Sequence, residues 1–378
     1  MKLLVLTSRY TATRDIISED FGRQTRLFSA LAKRGHTIHF YCADYRKRES
    51  RNTTLHGIKV LIRPFGIFSA AGFCSGLVRQ LRKEGYDALV ATSDPLWGVV
   101  GRWAARKAGT RLVYDLHDNY ETYATYSLPF MPVLERKAVR DADAITTVSH
   151  SLGRKIAPMR KENVFVAENG ADMKLFRPLP RERCRKALGL PARAKLIGYM
   201  GSIQRSQGID VLLEAFAGLR KDNPDLLLVI AGRFYGDEEK YLELTQEGIR
   251  YLGSLNQDEV VKLINACDAV VVPNRKNAFT EYCFPYKVVE YMACNVPIVA
   301  TRVGDVALLL SRFKESLCEP DDAEGMAAAL KRQLGKGRIP YRKHVRGNTW
   351  DAVAGEFEKA LAVIGRREKS GPAKGKGF

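Results

Sequence analysis

Short uninterrupted apolar runs recur along the first half of the chain, each separated from the next by a helix-length amphipathic or polar stretch. Residues 2–7 (KLLVLT) make the first run. In the following 21–34, Leu27, Ala30 and Leu31 fall at helical spacing, and Gly35 stands where a helix end favours a left-handed residue. Residues 37–41, 58–63, 88–92, 111–115, 144–149 and 164–167 continue the strand pattern. Runs without polar alternation are buried on both faces, so the series predicts a parallel sheet with helices on each side. At 176–194 proline and arginine collect and the rhythm stops. It restarts with 195–200 (KLIGYM), a helix over 211–219 and strands over 225–231, 250–252, 269–273 and 298–301. The pattern predicts an α/β protein of two parallel-sheet domains in series, with a hinge near residue 178. Ligands of such sheets bind outside the carboxyl ends of the strands. Two facing domains of this kind place an active site in the cleft between them.

A length of 378 residues agrees with two domains. No apolar run reaches the roughly 18 residues of a membrane span, and residues 1–7, which read as a strand, are not expected to act as a secretory leader. The seven cysteines (Cys42, Cys74, Cys184, Cys267, Cys283, Cys294 and Cys318) contain no CxxC pair. They are expected to be reduced thiols of a cytosolic protein, with neither a disulfide framework nor a zinc site.

Charge changes the picture more. Lys+Arg 61 against Asp+Glu 42 gives a net +19, which favours anionic partners: nucleotides, nucleic acid or an anionic membrane surface. The stretch 331–378 holds 13 basic and 4 acidic residues, and its end, SGPAKGKGF, has no apolar periodicity and is expected to be disordered. Nucleic acid is disfavoured, because no recognised motif is present and the aromatic residues are not interleaved with the basic runs. In 65–84, Phe68, Phe73, Leu77 and Leu81 stand beside Arg79, Arg82 and Lys83. That combination suits a peripheral membrane helix that meets a lipid-linked acceptor. It equally suits a helix packed on the sheet with a solvated basic edge.

The richest stretch is 273–304, PNRKNAFTEYCFPYKVVEYMACNVPIVATRVG. Pro285 suits the first turn of a helix, and Lys287 and Glu290, at i and i+3, then share a face. Helix N-termini carry unpaired N–H groups and partial positive charge, so they receive phosphate. Lys287 would add a full charge there, and Glu290 could accept hydrogen bonds from a ribose diol. The alternative is an ordinary i,i+3 surface ion pair.

The run P-x-K-V-x-E-Y-M-A followed by P-I-V-A-T and V-G resembles the nucleotide-binding end of family 4 retaining glycosyltransferases, which have two Rossmann-like domains in the GT-B arrangement. The resemblance extends over most of the chain. It includes LAKRGHTIHFY (31–41), VYDLHDNYE (113–121), ADAITTVSHSLGRKI (142–156), ENGADMKLFRP (168–178), GYMGSIQRSQGIDVLLEAF (198–216), VIAGR (229–233) and YLGSLNQDEVVKLINACDAVVVPN (251–274), all in order. It implies an acceptor domain over 1–178 and a nucleotide-sugar domain over 179–349. A final helix over 350–365 would return to the first domain, ahead of the basic tail 366–378. It also implies metal-independent transfer of a hexosyl group from a nucleoside-diphosphate sugar, a co-substrate rather than a cofactor, to a glycan or lipid-linked acceptor. The protein would be cytoplasmic or peripheral at the inner face of a membrane.

Carried over by position, the resemblance gives Glu290 the ribose hydroxyls and Lys287 the diphosphate. Gly201 and Ser202 open the loop that approaches the diphosphate, with Tyr282 and Pro285 ahead of the helix. Gly232, Arg233, Gly253 and Ser254 lie at strand ends near the base. His117 would hydrogen-bond the donor sugar, and Gly22 would let the first loop come close to phosphate or acceptor. Two positions depart from the family. Ser202 and Gln207 stand where it usually has Arg and Lys, so Arg205, Arg275, Lys276 or Lys287 must replace the missing cations. The first of its paired glutamates is Tyr282 here, with Glu281 one place off. These departures keep a catalytically silent nucleotide- or glycan-binding relative open. A sugar-nucleotide epimerase would need cleft carboxylates, for which Asp115, Asp118, Glu121 and Glu281 are available.

Overall fold

The computed structural model describes residues 1–11, 14–20, 22–235 and 246–367. The expected helix start at Phe21 and the tail from 368 onward lie outside the described residues. The chain divides into two compact units, one of residues 1–169 with the segment from Trp350 onward, the other of 170–349.

In the first unit the strands are β1 (Lys2–Ser8), β2 (Tyr10–Thr11), β3 (Arg14–Asp15), β4 (Thr37–Asp44), β5 (Arg51–Leu55), β6 (Ile58–Pro64), β7 (Ala88–Thr92), β8 (Arg111–Leu116), β9 (Ala144–Thr147) and β10 (Val164–Val166). Eight of them form one sheet in the order β10-β9-β8-β7-β1-β4-β6-β5, while β2 and β3 pair as a separate antiparallel ribbon. The apolar runs became central strands because both sheet faces are covered. Leu3, Leu4, Val5 and Leu6 of β1 are all fully buried. The one antiparallel member, β5 against β6, was not expected. Its sequence RNTTL is polar and mostly exposed at the sheet edge, so it carries no burial signal. Helix Trp350–Arg367 packs into this unit's core: Val353, Ala354, Phe357, Leu361 and Ile364 join Leu27, Phe28 and Phe40, with the Phe28 ring 5.8 Å from those of Phe40 and Phe357. Arg34 and His36 close over it through Glu358.

The second unit holds β11 (Leu196–Met200), β12 (Leu227–Ala231), β13 (Ile249–Tyr251), β14 (Ala269–Val272), β15 (Ile298–Thr301) and β16 (Leu317–Cys318), parallel in the order β13-β12-β11-β14-β15-β16. Its core gathers Ile197, Tyr199, Leu212, Phe216, Leu228, Val271 and Met326. The Pro/Arg-rich stretch read as a break is structured. It contains helix Arg181–Ala187, whose buried Arg185 donates to the Asp268 carboxylate at 2.8 Å and to the Ala266 carbonyl at 2.9 Å. Among the described residues no helix is long and apolar enough to cross a membrane.

The stripe in 65–84 resolves differently from the membrane expectation. Helix Ala70–Glu84 buries Phe73, Leu77 and Leu81 against its own unit, leaving Phe68 outside. Three of the four apolar residues are core because β6 must be covered on that face.

Candidate active site

In the second unit, helix Tyr286–Ala293 begins beyond the carboxyl end of β14, with Pro285 as its N-cap in extended conformation. Val288, Val289, Tyr291 and Met292 anchor it in the core, and the Tyr291 hydroxyl donates to the Met200 carbonyl at 3.3 Å, tying the helix to the end of β11. That fixes where Lys287 and Glu290 point. The Lys287 ammonium donates to the Gln207 side-chain carbonyl at 3.3 Å and lies 5.1 Å from the centre of the Tyr199 ring. Among the described residues it has no carboxylate partner within ion-pair reach, and Glu290 likewise makes no ion pair. The i,i+3 surface pair is therefore not what these two residues form.

Burial acts on both. It lowers the Lys287 ammonium to about 8, against a small opposing pull from Cys283. It raises the Glu290 carboxyl to about 7. Each is a charge partly withdrawn from water without a counter-charge, an arrangement more common at binding sites than in structural ion pairs.

The neighbouring loops are brought together by backbone bonds. Gly201 follows β11 with φ 152°, and its N–H donates to the Ala231 carbonyl at 3.0 Å. Lys287 Nζ would lie 3.3 Å from a Cβ placed on Gly201. The Ser202 carbonyl accepts from the Tyr199 hydroxyl at 2.5 Å. Gly232 donates to the Gly253 carbonyl at 2.8 Å, and Arg233 Nε donates to Ser254 Oγ at 2.9 Å. Gly201, Ser202, Gln207 and Lys287 thus form one cluster, with Gly232, Arg233, Gly253 and Ser254 adjoining it through Gly232. Arg205 is exposed on the short turn Arg205–Gln207. Arg275 is committed to Asp210 at 2.8 Å and to Asp321, so it is not a spare cation. Tyr282 is half-buried on the loop before the helix.

Gly232 has no room for a side chain, since a Cβ there would sit 1.8 Å from the Gly201 carbonyl oxygen at φ 150°. Gly232→Ala is expected to cost about 1–3 kcal/mol by forcing the two loops apart. It should weaken nucleotide binding more than it lowers the melting temperature, which titration calorimetry alongside a thermal melt would show. Unchanged binding would separate the loop from the site.

The first unit builds a second constellation, at the carboxyl ends of β7 and β8. Gly22, at φ 95°, precedes helix Arg23–Lys33. Arg23 is buried and reaches Asp115, also buried, at 3.1 Å, while donating to the Glu168 carbonyl at 2.9 Å and to the Asn169 side chain at 3.1 Å. Thr92 and Thr146 hydroxyls donate to the same carboxylate at 2.9 and 2.7 Å. Burial works to raise the Asp115 carboxyl, but Arg23, His117 and these donors outweigh it and hold it below the ordinary range. Beside it, His117 Nδ1 lies 3.2 Å from the Thr92 hydroxyl and 3.1 Å from that of Tyr120. Burial, only partly countered by Asp115, lowers the His117 imidazole to about 4, so the ring is neutral near pH 7. Asp118 is pushed up to about 6 by burial. Asp94, at the end of β7, caps helix Pro95–Ala108 by accepting from the Leu96 N–H at 2.9 Å. Arg23, Thr92 and Tyr120 were missed as site residues. The available signal was Asp115 itself, a carboxylate inside the apolar strand VYDL that needs a buried partner.

The glycosyl transferase 4-like domain model matches residues 23–170 and the glycosyl transferases group 1 model matches 180–349. The chain is 28% identical over 328 residues to the D-inositol 3-phosphate glycosyltransferase of Saccharomonospora viridis, covering 77% of this chain and 75% of the relative. It is 24% identical over 323 residues to the N-acetyl-alpha-D-glucosaminyl L-malate synthase of Bacillus anthracis, covering 80% and 81% respectively. The structure of Anabaena HepE in complex with UDP superposes with a TM-score of 0.71 at 18% identity, covering 98% of this chain and 99% of the other.

Proposed function

This chain belongs to the group 1 (family 4-like) glycosyltransferases, and from that premise we propose that it moves a hexosyl group from UDP-sugar to a hydroxyl of a glycan or lipid-linked acceptor, with retention of anomeric configuration. The activity class, sugar transfer from a nucleotide-sugar donor, is the family's. The base, the hexosyl group, the stereochemistry and independence from metal are proposals. The observation that supports metal-free transfer is Lys287, a half-buried ammonium beside the glycine loop after β11, with no carboxylate partner among the described residues; UDP is proposed because the HepE structure holds it.

As the sugar–phosphate bond breaks, negative charge grows on the departing diphosphate. The Lys287 ammonium and the backbone N–H groups of the 201–202 loop and of the helix N-terminus would stabilise it, doing the work of a divalent ion. Glu290, one turn on, would accept hydrogen bonds from the ribose diol. Neutral His117 would hydrogen-bond the transferred sugar and hold it as the acceptor hydroxyl approaches, which is positioning rather than proton transfer. The raised carboxyl and lowered ammonium set opposite limits on donor binding. Glu290 must lose its proton for both of its oxygens to accept from the diol, and Lys287 must keep its own.

The test is a metal-free donor screen of UDP-, GDP- and ADP-sugars, followed as nucleotide release with Glu290→Ala as control. For the active donor, kcat/KM should climb with pH as Glu290 ionises near 7 and decline above about 8 as Lys287 deprotonates. Glu290→Gln should erase the acidic limb, and Lys287→Arg should shift the alkaline limb upward. Nucleotide binding without turnover would point to the silent relative. No binding of any donor would sink the proposal.

A further inference from the structure

The second unit has a cavity at the edge of its sheet away from the glycine loops. It lies at the amino ends of β15 and β16, between residues 311–316 and 333–341, and its volume of about 530 Å³ is that of a small-molecule site. Its inner wall is polar. Gln333 Nε2 donates to Ser316 Oγ at 3.4 Å, and the hydroxyls of Ser316 and Tyr341 share a bond of 2.9 Å. All three side chains are almost fully buried. Gln333 Oε1 nevertheless has no hydrogen-bond partner among the described residues. The bond between the two hydroxyls also uses only one of their two protons. A buried acceptor left unmet is costly, so it calls for a partner from outside the chain.

The rim supplies charge and an apolar wall. Arg312 and Lys314 are exposed and form no ion pair among the described residues, while Lys336 is paired with Glu315. The lining therefore sets three cations against one acid. Phe313 stands edge-on to Tyr341, with ring centres 4.6 Å apart, and lines the cavity beside Ile339. A hydroxyl suits the unmet amide oxygen, an anionic group suits the two unpaired cations, and a CH face suits the apolar wall. Those three requirements together describe a sugar that carries a phosphate or a carboxylate.

The same segment holds the end of the helix that carries Lys287. The Ile339 N–H donates to the Asn295 carbonyl at 3.0 Å, and the Arg342 N–H to the Asn295 side chain at 2.8 Å. The Arg342 guanidinium donates to the carbonyl of Ala293, the last residue of helix Tyr286–Ala293, at 2.8 Å. A cation on the last carbonyls stabilises a helix end. We propose that this cavity binds an anionic sugar, phosphorylated or carboxylated, and that its occupant tightens nucleotide binding by holding segment 339–342 against the end of the Lys287 helix. This goes beyond the transfer reaction proposed above and rests on that reading only for the nucleotide whose affinity is read.

The experiment is calorimetric titration of the full chain with mannose 6-phosphate and with glucuronate, which separate phosphate from carboxylate. Mannose and inorganic phosphate serve as half-ligands, and UDP titrated alone reports the donor site, so the two readings fail separately. At least one anionic sugar should bind, about tenfold or more tighter than either half-ligand. Binding should fall about tenfold or more in Arg312→Ala/Lys314→Ala and in Gln333→Leu, and persist in Lys287→Ala. The Arg312/Lys314 variant should melt like the parent, because both side chains are exposed. The bound sugar should tighten UDP about fivefold or more, and UDP should tighten the sugar by the same factor. Binding of neither sugar, or binding unchanged in the Arg312/Lys314 variant, would overturn the proposal. Full affinity in Gln333→Leu would do so too, leaving a buried water as the partner of that amide. Loss of binding in Lys287→Ala would put the sugar in the donor site instead, and sugar binding that leaves UDP affinity unchanged would remove the coupling.

Discussion

Lys287→Ala is expected to lower transfer from the UDP-sugar by about 10²–10³-fold in kcat, the usual effect of deleting one fixed donor from a developing oxyanion. The expectation follows from the geometry around the ammonium. Its described contacts are one amide oxygen, that of Gln207, and the face of Tyr199, so its charge is held beside the glycine loop with no carboxylate to cancel it. The nearby position 207 is where the resemblance expects a lysine, and here an amide accepts from a lysine that comes from the helix instead. If the two positions serve one phosphate, the cation can be moved back. Gln207→Lys alone should impair activity, because a second ammonium would replace the amide oxygen that the first now donates to and repel it. The exchanged pair, Lys287→Gln with Gln207→Lys, should recover a substantial part of the rate lost in Lys287→Ala. Single-turnover kinetics with the donor identified in the screen would check it. Normal chemistry in Lys287→Ala would leave Arg205 and Lys276 as the remaining candidate cations.

Much of this was legible from the chain because parallel strands buried on both faces print themselves as apolar runs. The expected strands over 88–92 and 298–301 match Ala88–Thr92 and Ile298–Thr301 to the residue. What escaped follows a physical pattern too. β5 is an exposed edge strand, and RNTTL has no reason to be apolar. Helix Arg181–Ala187 was hidden by its flanking prolines, and its stability comes from Arg185 reaching Asp268, a partner that local spacing does not reveal. The stripe Phe73, Leu77 and Leu81 has helical periodicity, but periodicity cannot say whether core or lipid receives it, and the core does. At the site, the sequence placed Lys287 and Glu290 on one face, whereas the contact with Gln207 joins residues 80 positions apart and needed the fold to be seen.

The same distance in sequence conceals the pairing with the largest expected effect on stability. Arg23 and Asp115 are 92 positions apart, both almost fully buried, and joined by two hydrogen bonds of 3.1 and 3.3 Å. Removing either partner strands a charge in the interior, so Arg23→Ala and Asp115→Ala should each destabilise the first unit by about 3–5 kcal/mol. The double variant should be less damaging than the sum of the two, since neither charge is then left alone. All three tryptophans, Trp97, Trp103 and Trp350, lie in that unit, so urea denaturation followed by their fluorescence reads it without interference from the other. The pair also sets a pH dependence. Asp115 is depressed in the folded state, so its contribution is complete above the ordinary carboxylate range and is lost as pH falls through the lowered value. His117, lowered to about 4, adds to the same acid loss, because below about 6.5 the unfolded chain takes up the proton that the folded ring refuses. Arg23→Ala should raise the Asp115 carboxyl and move acid unfolding to higher pH. If urea midpoints in the single variants stay with the parent, the interior there is wetter than the geometry implies and the network does not hold the His117 edge in place.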